Sequence, residues 1–390
     1  MSGPLSGLRV LDLSRILAGP TMTQHFADLG AEVIKIERPG RGDDTRSWGP
    51  PWLKDRDGND TGESGYYMAA NRGKYSVALD IASPDGAEKV ARLAEQSDFL
   101  VENFKAGGLK KYGLDYDTLS KRNPGLIYLS ITGFGQTGPD AAQPGYDYLI
   151  QARSGLMSIT GQPESGPTRV GVATCDLQTG LMGGMGALAA LYHRERTGQG
   201  QHIDLALLDV QVSGLVNQGY NYLLTGSVPG LTGDYHPNLA PYQPFHAADG
   251  PFIIAVGNDT QFASLCALIA KPEMATDERF ATMPARNKNR EVMVELLSAE
   301  LVKKTKAHWL EQLPANNVPA CPINAMDEVF ADPQVQARGM QIELDHPLSG
   351  KAPGIASPLK FSETPIEYSK APPMVGEDTE DILRRVLGEE

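Results

Sequence analysis

Apolar runs separated by turn signals set out the first half of the chain. Leu8 to Leu13 reads as a buried strand, a turn closes at Gly19-Pro20, a helix covers Thr21 to Leu29, and a second strand runs from Glu32 to Glu37. That spacing is a βαβ unit, whose crossover should be right-handed. The alternation continues with strand Ser76–Asp80, helix Asp85–Gln96 behind Pro84, and strands Asp98–Glu102 and Leu126–Ile131. Strands alternating with helices predict a parallel α/β sheet covered on both faces.

Residues 39–75 carry Gly, Pro, Asp and Trp without a sustained period and read as an irregular excursion, a kind of long loop that is often functional. A long helix is predicted from Leu177 to Arg196, with apolar residues at 177, 181, 185, 188 and 191 and a stop at Gly198 just past Arg194 and Arg196. Strand His202–Ala206 and a further helix to about Leu224 follow. From Gly226 to Pro241 the composition turns to Gly, Pro, Asn and Tyr, which marks a boundary. Beyond it, strand Phe252–Val256 and helices Gln261–Ile269, Arg290–Lys304 and His308–Pro314 predict a smaller α+β domain. Residues 327–338 read as helical, and a short amphipathic helix, Thr379–Leu387, follows a proline-containing tail. The expected division is a large domain over 1–225, a small one over 226–325, and a segment 326–390 returning to the large domain.

A chain of 390 residues, 41% hydrophobic and 21% charged, has the composition of a globular protein of two or three domains. No run approaches the ~18 apolar residues of a membrane span, and no signal or transit peptide is visible at the start, so no membrane is expected and the expected compartment is the cytoplasm. Cys175, Cys266 and Cys321 lie far apart with no CxxC spacing, and the seven histidines form no HxxxH or HxH pair, so no metal site is expected. The net charge of −13 disfavours a nucleic-acid surface. A phosphorylated small molecule would need a locally basic pocket, and the N-terminal part could supply one.

Gly133-Phe134-Gly135-Gln136-Thr137-Gly138 matches GxGxxG after a strand, yet its context fails. The dinucleotide fingerprint needs a helix opening at the third glycine, and Pro139 and Pro144-Gly145 break any helix there. What remains is flexible backbone at the carboxyl end of a strand, whose N–H groups could cradle an anion. Asp176 stands at the predicted start of the long helix and has two readings. It could be the helix cap, worth about 1 kcal/mol, or a carboxylate kept ionised by the helix terminus and fit to be a nucleophile. Gly180, Gly183, Gly184 and Gly186 cost that helix stability and imply the close approach of another backbone or a ligand.

Taken together these residues resemble the class III CoA-transferases, the family of formyl-CoA:oxalate and carnitine-type CoA-transferases, along essentially the whole chain. The resemblance rests on Leu5-Ser6-Gly7-Leu8-Arg9-Val10-Leu11-Asp12, Leu17-Ala18-Gly19-Pro20, the stretch Asp28 to Pro39, Asn71-Arg72-Gly73-Lys74, Val101-Glu102-Asn103-Phe104, Asp176 with its Gly-rich helix, and Thr197 to Gln201. It implies a Rossmann-like large domain built from both ends of the chain, a small domain inserted between, and an interlocked homodimer. It also implies that Asp176 is the nucleophile and that no cofactor is bound permanently, CoA and acyl-CoA being substrates. The CoA contacts it implies fall on Leu17, Ala18, Arg38, Arg72, Lys74, Asn103, Phe104 and Lys111, the four cations among them supplying positive charge for the CoA phosphates.

Asp43 to Pro51, Ser130 to Pro139 and Gly155 to Gly161 look like the succinyl-CoA-using branch, which serves dicarboxylic acids. Gly133, Phe134, Gly135 and Tyr146 are then expected near the substrate. A dicarboxylate needs a second cationic anchor, and Arg46 is the expected one because guanidinium grips carboxylate bidentately; the alternative pairs it with Asp43 or Asp44. The same fold hosts α-methylacyl-CoA racemases, whose catalytic histidine would fall at Tyr146, a poor base at neutral pH. A non-catalytic CoA-binding protein is a third reading, which the retained aspartate disfavours.

Overall fold

Six strands, β1 (Arg9–Asp12), β2 (Glu32–Glu37), β3 (Lys74–Ala78), β4 (Phe99–Glu102), β5 (Ile127–Thr132) and β6 (His202–Ala206), form one parallel sheet in the computed structural model, which describes residues 3–389. Their order is β3-β2-β1-β4-β5-β6. This is the doubly wound order whose direction reverses between β1 and β4. The strands are continuously apolar because both faces are covered. Val10, Val33, Phe99, Val101 and Leu129 point to one face, against Met22 and Phe26 of helix α1 (Ala18–Asp28). Leu11, Ile34, Val77, Leu100 and Tyr128 point to the other, against Val90 and Leu93 of α2 (Pro84–Glu95) and Ile382 of the last helix.

Two further helices frame the cleft described below: α3 (Asp147–Arg153) and α4 (Thr174–Thr197). The glycines of α4 serve a close backbone approach. A Cβ on Gly180 would lie 2.7 Å from the Ala18 carbonyl oxygen of α1, and one on Gly183 would lie 2.8 Å from the Met22 sulfur. Gly198 ends the helix at φ 75°, its N–H donating to the Arg194 carbonyl. The face that α4 buries is Cys175, Thr179, Gly180, Gly183, Ala187 and Ala190, whereas the apolar stripe of Leu181, Met185 and Leu188 is exposed in this chain.

Chain contacts define two compact units. The first holds the residues up to Leu156, Val170–Thr225, and the chain from Pro333 onward. Its C-terminal part closes on the β3 edge, where Asp378 accepts from the Ser76 N–H at 2.8 Å and Thr379 from the Ala78 N–H at 2.9 Å. The second unit holds Met157–Arg169 and Gly226–Asp332. It is an antiparallel sheet of Tyr242–Ala247, Gly250–Ala255 and Ala320–Pro322 packed on three main helices. Inside it the buried Arg286 ties together the Ala240 and Phe280 carbonyls and Asp259.

Three features differ from the sequence expectations. The excursion is ordered, with a 3₁₀ turn at Asp44–Ser47, a hairpin of Trp52–Lys54 and Asp60–Ser64, and a helical turn at Gly65–Met68. These pieces are too short to show a period. The helix expected to reach Leu224 breaks into Leu207–Ser213 and Val216–Thr225. A hairpin of Gln341–His346 and Gly350–Ile355 lies in the stretch read as a proline-containing tail.

Candidate active site

The reversal of strand order leaves a crevice at the carboxyl ends of β1 and β4, the place where open α/β sheets bind ligands. A cleft of about 400 Å³ opens there. Its walls are the β1–α1 turn (Arg15 to Ala18), the segment after β4 (Asn103 to Ala106, with Lys111 and Tyr112), the end of β5 (Thr132, Gly133) and the approach to α3 (Gln143 to Asp147), with Asp176 among its lining residues. A second hollow of about 320 Å³ shares Arg15, Phe104 and Tyr112 with it and adds Arg38 and Arg41. That hollow is mixed in charge, with Asp44 pairing with Arg15 at 2.6 Å and with Arg41 at 3.3 Å.

The β1–α1 turn is strained and braced. Ile16 has φ 72°, a left-handed conformation that a β-branched residue avoids. Its N–H is shared between both oxygens of Asp43 at 3.2 Å. Asn103 clamps its neighbour, accepting from the Arg15 N–H at 2.9 Å and donating to the Arg15 carbonyl at 2.7 Å. Beneath the turn lies a buried charge network. Lys35 reaches the Ser14 carbonyl at 2.8 Å and Asp43 at 2.9 Å. Asp12 accepts from Thr23 at 2.6 Å and from Lys74 at 3.1 Å. Burial alone would raise the Asp43 carboxyl, but Lys35 and the Thr45 N–H hold it down at about 2. Burial brings the Lys74 ammonium down to about 8.

Asp176 sits in the first turn of α4, half-buried, and does not cap it: the cap position is Ala173. The capping oxygen comes from another helix. Asp147 Oδ1 accepts from the Cys175 N–H at 2.7 Å and the Asp176 N–H at 3.3 Å, while Gln151 donates to Asp147 Oδ2 at 2.6 Å. Burial, then the Asp147 charge, push Asp176 up to about 7. Burial and a like charge thus act against the helix terminus expected to keep this carboxylate ionised. Tyr66 lies within electrostatic reach, its hydroxyl pushed up by burial and by Asp176 and Asp147.

Of the residues implied by the resemblance, Leu17, Ala18, Asn103, Phe104, Lys111, Gly133, Tyr146 and Asp176 line this cleft, and Arg38 lines the adjoining hollow. The others do not. Lys74 is fully buried beneath the turn, on Asp12, Asn71 and the Pro20 carbonyl. Arg72 is buried on Asp28, at 2.8 and 2.6 Å, and lines a separate hollow. Phe134 packs into the core with Arg153 over its ring. Gly135 is turned away and its N–H donates to Thr132, while the Gln136 N–H donates to Asp204, so these amides are not free to cradle an anion.

Arg46 is no anchor either. It is buried, bidentate on Glu37 at 2.9 and 2.8 Å, bonded to Glu63 at 3.1 Å and to the Pro373 carbonyl at 2.8 Å, and stacked 3.7 Å over Tyr67. Neither Asp43 nor Asp44 is its partner. Sequence reasoning missed Arg15, Tyr66 and Asp147. Only Asp147 left a trace, as an acidic residue after the helix-breaking Pro144-Gly145.

Comparison with known proteins matches this architecture. The chain is 48% identical over 380 residues to succinate–glutarate CoA-transferase of Agrobacterium fabrum, covering 97% of this chain and 95% of that one. It is 40% identical to human succinyl-CoA:glutarate CoA-transferase, covering 98% and 86%. A crystal structure of a CAIB/BAIF family protein from Brucella suis superposes with a TM-score of 0.87 at 47% identity, covering 99% of this chain and 100% of that one. The sequence profile of CoA-transferase family III matches residues 5–379, and the chain belongs to that family.

Proposed function

We propose that this protein moves CoA from succinyl-CoA to a small dicarboxylic acid, with Asp176 as the covalent nucleophile. The observation that carries the reading is a half-buried carboxylate in the cleft at the reversal point of the sheet, a cleft that shares Arg15, Phe104 and Tyr112 with a hollow lined by Arg38. Succinyl-CoA and a dicarboxylate are supported by the names of the relatives above. A carboxylate nucleophile preserves the thioester energy, which hydrolysis would lose. Asp176 attacks the acyl carbonyl and expels CoA thiolate, giving a mixed anhydride. The thiolate then attacks the aspartyl carbonyl, releases succinate and leaves an aspartyl-CoA thioester. The acceptor carboxylate attacks that thioester, and the thiolate expelled attacks the acceptor carbonyl of the new anhydride, freeing Asp176. Each intermediate is open to hydrolysis, so water must be kept out.

Arg38, Lys105 and Lys111 are the cations that would meet the CoA phosphates, with Arg15 beside them on Asp44 at 2.6 Å; Lys74 and Arg72 act on the fold. A homodimer is supported by apolar side chains that α4 and the helix Val216–Thr225 leave uncovered: Leu181 and Met185 are each 59% exposed, and Tyr220, Leu223 and Leu224 are exposed as well. Racemisation lacks support, since no histidine lines the cleft among the described residues. Three free cysteines suit a reducing cytoplasm, and among the described residues no helix is long and apolar enough to cross a membrane.

The test is incubation with succinyl-CoA and a panel of mono- and dicarboxylic acids, with acyl-CoA products read by mass. New acyl-CoA is expected from C5-type dicarboxylates at rates well above hydrolysis. Hydrolysis alone, or deuterium exchange at the α-carbon of a 2-methylacyl-CoA without transfer, contradicts the reading.

A further inference from the structure

A second carboxylate beside a nucleophilic one is a cost unless it does something. Asp147 belongs to α3 and Asp176 to α4, so nothing local in the chain brings them together. Three donors converge on Asp147: the N–H groups of Cys175 and Asp176 on Oδ1, and the Gln151 amide on Oδ2. Gln151 is itself fully buried, and its oxygen accepts from the Val170 N–H at 2.9 Å. The α3 side is thereby locked to both the segment before α4 and its first turn. Among the described residues no hydrogen bond is made to the Asp176 carboxylate, and beside burial it is the Asp147 charge that raises it.

We propose that Asp147 is a positioning residue for the transfer reaction, acting on Asp176 through two bonds to the main chain around it and through a like charge held alongside. The inference rests on Asp176 being the nucleophile. Its physical content is a difference between states. Free Asp176 is an anion facing another anion, whereas anhydride and thioester are neutral at that position. Repulsion is relieved on acylation, so Asp147 raises the basicity of the attacking oxygen and favours the covalent intermediates over the free carboxylate. The main-chain bonds keep that oxygen in place while this happens.

The other titratable and charged groups around the pair are Arg15, Lys105, Lys111, Tyr112 and Tyr146 on the cleft walls, Tyr66 from the excursion, and Cys175, whose thiol donates to Gln211 at 3.2 Å. Burial and Asp147 together bring Asp176 up to about 7, so the wild-type rate should rise with pH through that value.

The experiment follows kcat/KM for succinyl-CoA between pH 5 and 9 in the wild type, Asp147→Asn, Asp147→Ser and Asp147→Glu. The neutral variants are expected to move the acid limb about one pH unit lower and to lose roughly 10- to 100-fold of the rate on the alkaline plateau. Asp147→Glu should return the limb toward the wild type. The serine variant keeps an oxygen for the helix cap should the asparagine variant fail to fold. A rate lowered equally at every pH with an unmoved limb would make Asp147 merely structural and overturn the proposal. The pH dependence of carbodiimide labelling at Asp176, read on the peptide, reports the same shift without turnover. It separates failure of this inference from failure of the CoA-transferase reading, which a wild type inactive with every acyl-CoA would indicate.

Discussion

Asp176→Asn is expected to abolish CoA transfer, lowering kcat/KM by roughly 10⁴-fold or more, the scale of loss when a covalent nucleophile is removed. The amide is isosteric but cannot form the anhydride, so no step remains for the variant to take. Folding should respond in the opposite sense. The native state raises Asp176 from 3.8 to about 7, which means that stability present below the unfolded value is lost as pH climbs through the native one. Above pH 7 the wild type carries a partly buried anion beside Asp147, and the asparagine variant does not. Thermal unfolding at pH 8 should therefore show the variant more stable, by up to roughly 4 kcal/mol. The difference should vanish below about pH 4, where the carboxyl is neutral in both states. An inactive variant that is also less stable at pH 8 would point to a structural role for this aspartate.

Arg46→Gln is expected to destabilise the protein by about 3–5 kcal/mol while leaving the KM of the acceptor acid nearly unchanged in the fraction that folds. Burial alone would raise the Glu37 carboxyl, but Arg46 and Lys35 hold it below its ordinary value. Removing the guanidinium takes two charge-assisted bonds from that carboxylate and leaves it those from Ser76 and the Asp43 N–H, loses the bond to Glu63, and uncovers the Tyr67 ring. A depressed glutamate contributes stability above its unfolded pKa and loses it on acidification, so the gap between wild type and variant should be widest above about pH 4.5. Denaturant unfolding read alongside acceptor kinetics checks both halves. A selective rise in acceptor KM at unchanged stability would restore Arg46 as a substrate anchor.

Where the sequence was legible, the reason is local. β2, β6 and the last helix begin and end where the pattern of apolar residues placed them, because a strand buried on both faces and a helix with one apolar stripe each write their burial into consecutive residues. The stripe on α4 misleads for the complementary reason. Periodicity marks an apolar face without saying what covers it, and here the buried face is the glycine and alanine one.

The site divides in the same way. Asp176, the Leu17-Ala18 turn and Asn103-Phe104 stand at the ends of sheet strands and at a helix start, which chain order alone exposes. Charge partners are invisible in that order. Arg72 meets Asp28, Arg46 meets Glu37 and Glu63, and Lys74 meets Asp12, 62 positions back. A cation in a motif thus looks free to take a ligand until the fold shows its counter-ion. Asp147 escaped notice for the same reason, two of its three donors lying 28 and 29 positions away.

The central claim is that one carboxylate is joined in turn to the donor acyl group as an anhydride, to CoA as a thioester, and to the acceptor as a second anhydride. It is tested most directly by mixing the wild-type protein with succinyl-CoA, quenching into hydroxylamine and mapping the peptides by mass. The account predicts a hydroxamate at Asp176, formed only when acyl-CoA is present and absent from Asp176→Asn. Full transfer activity with that peptide unmodified, or with the label on any other residue, would contradict it.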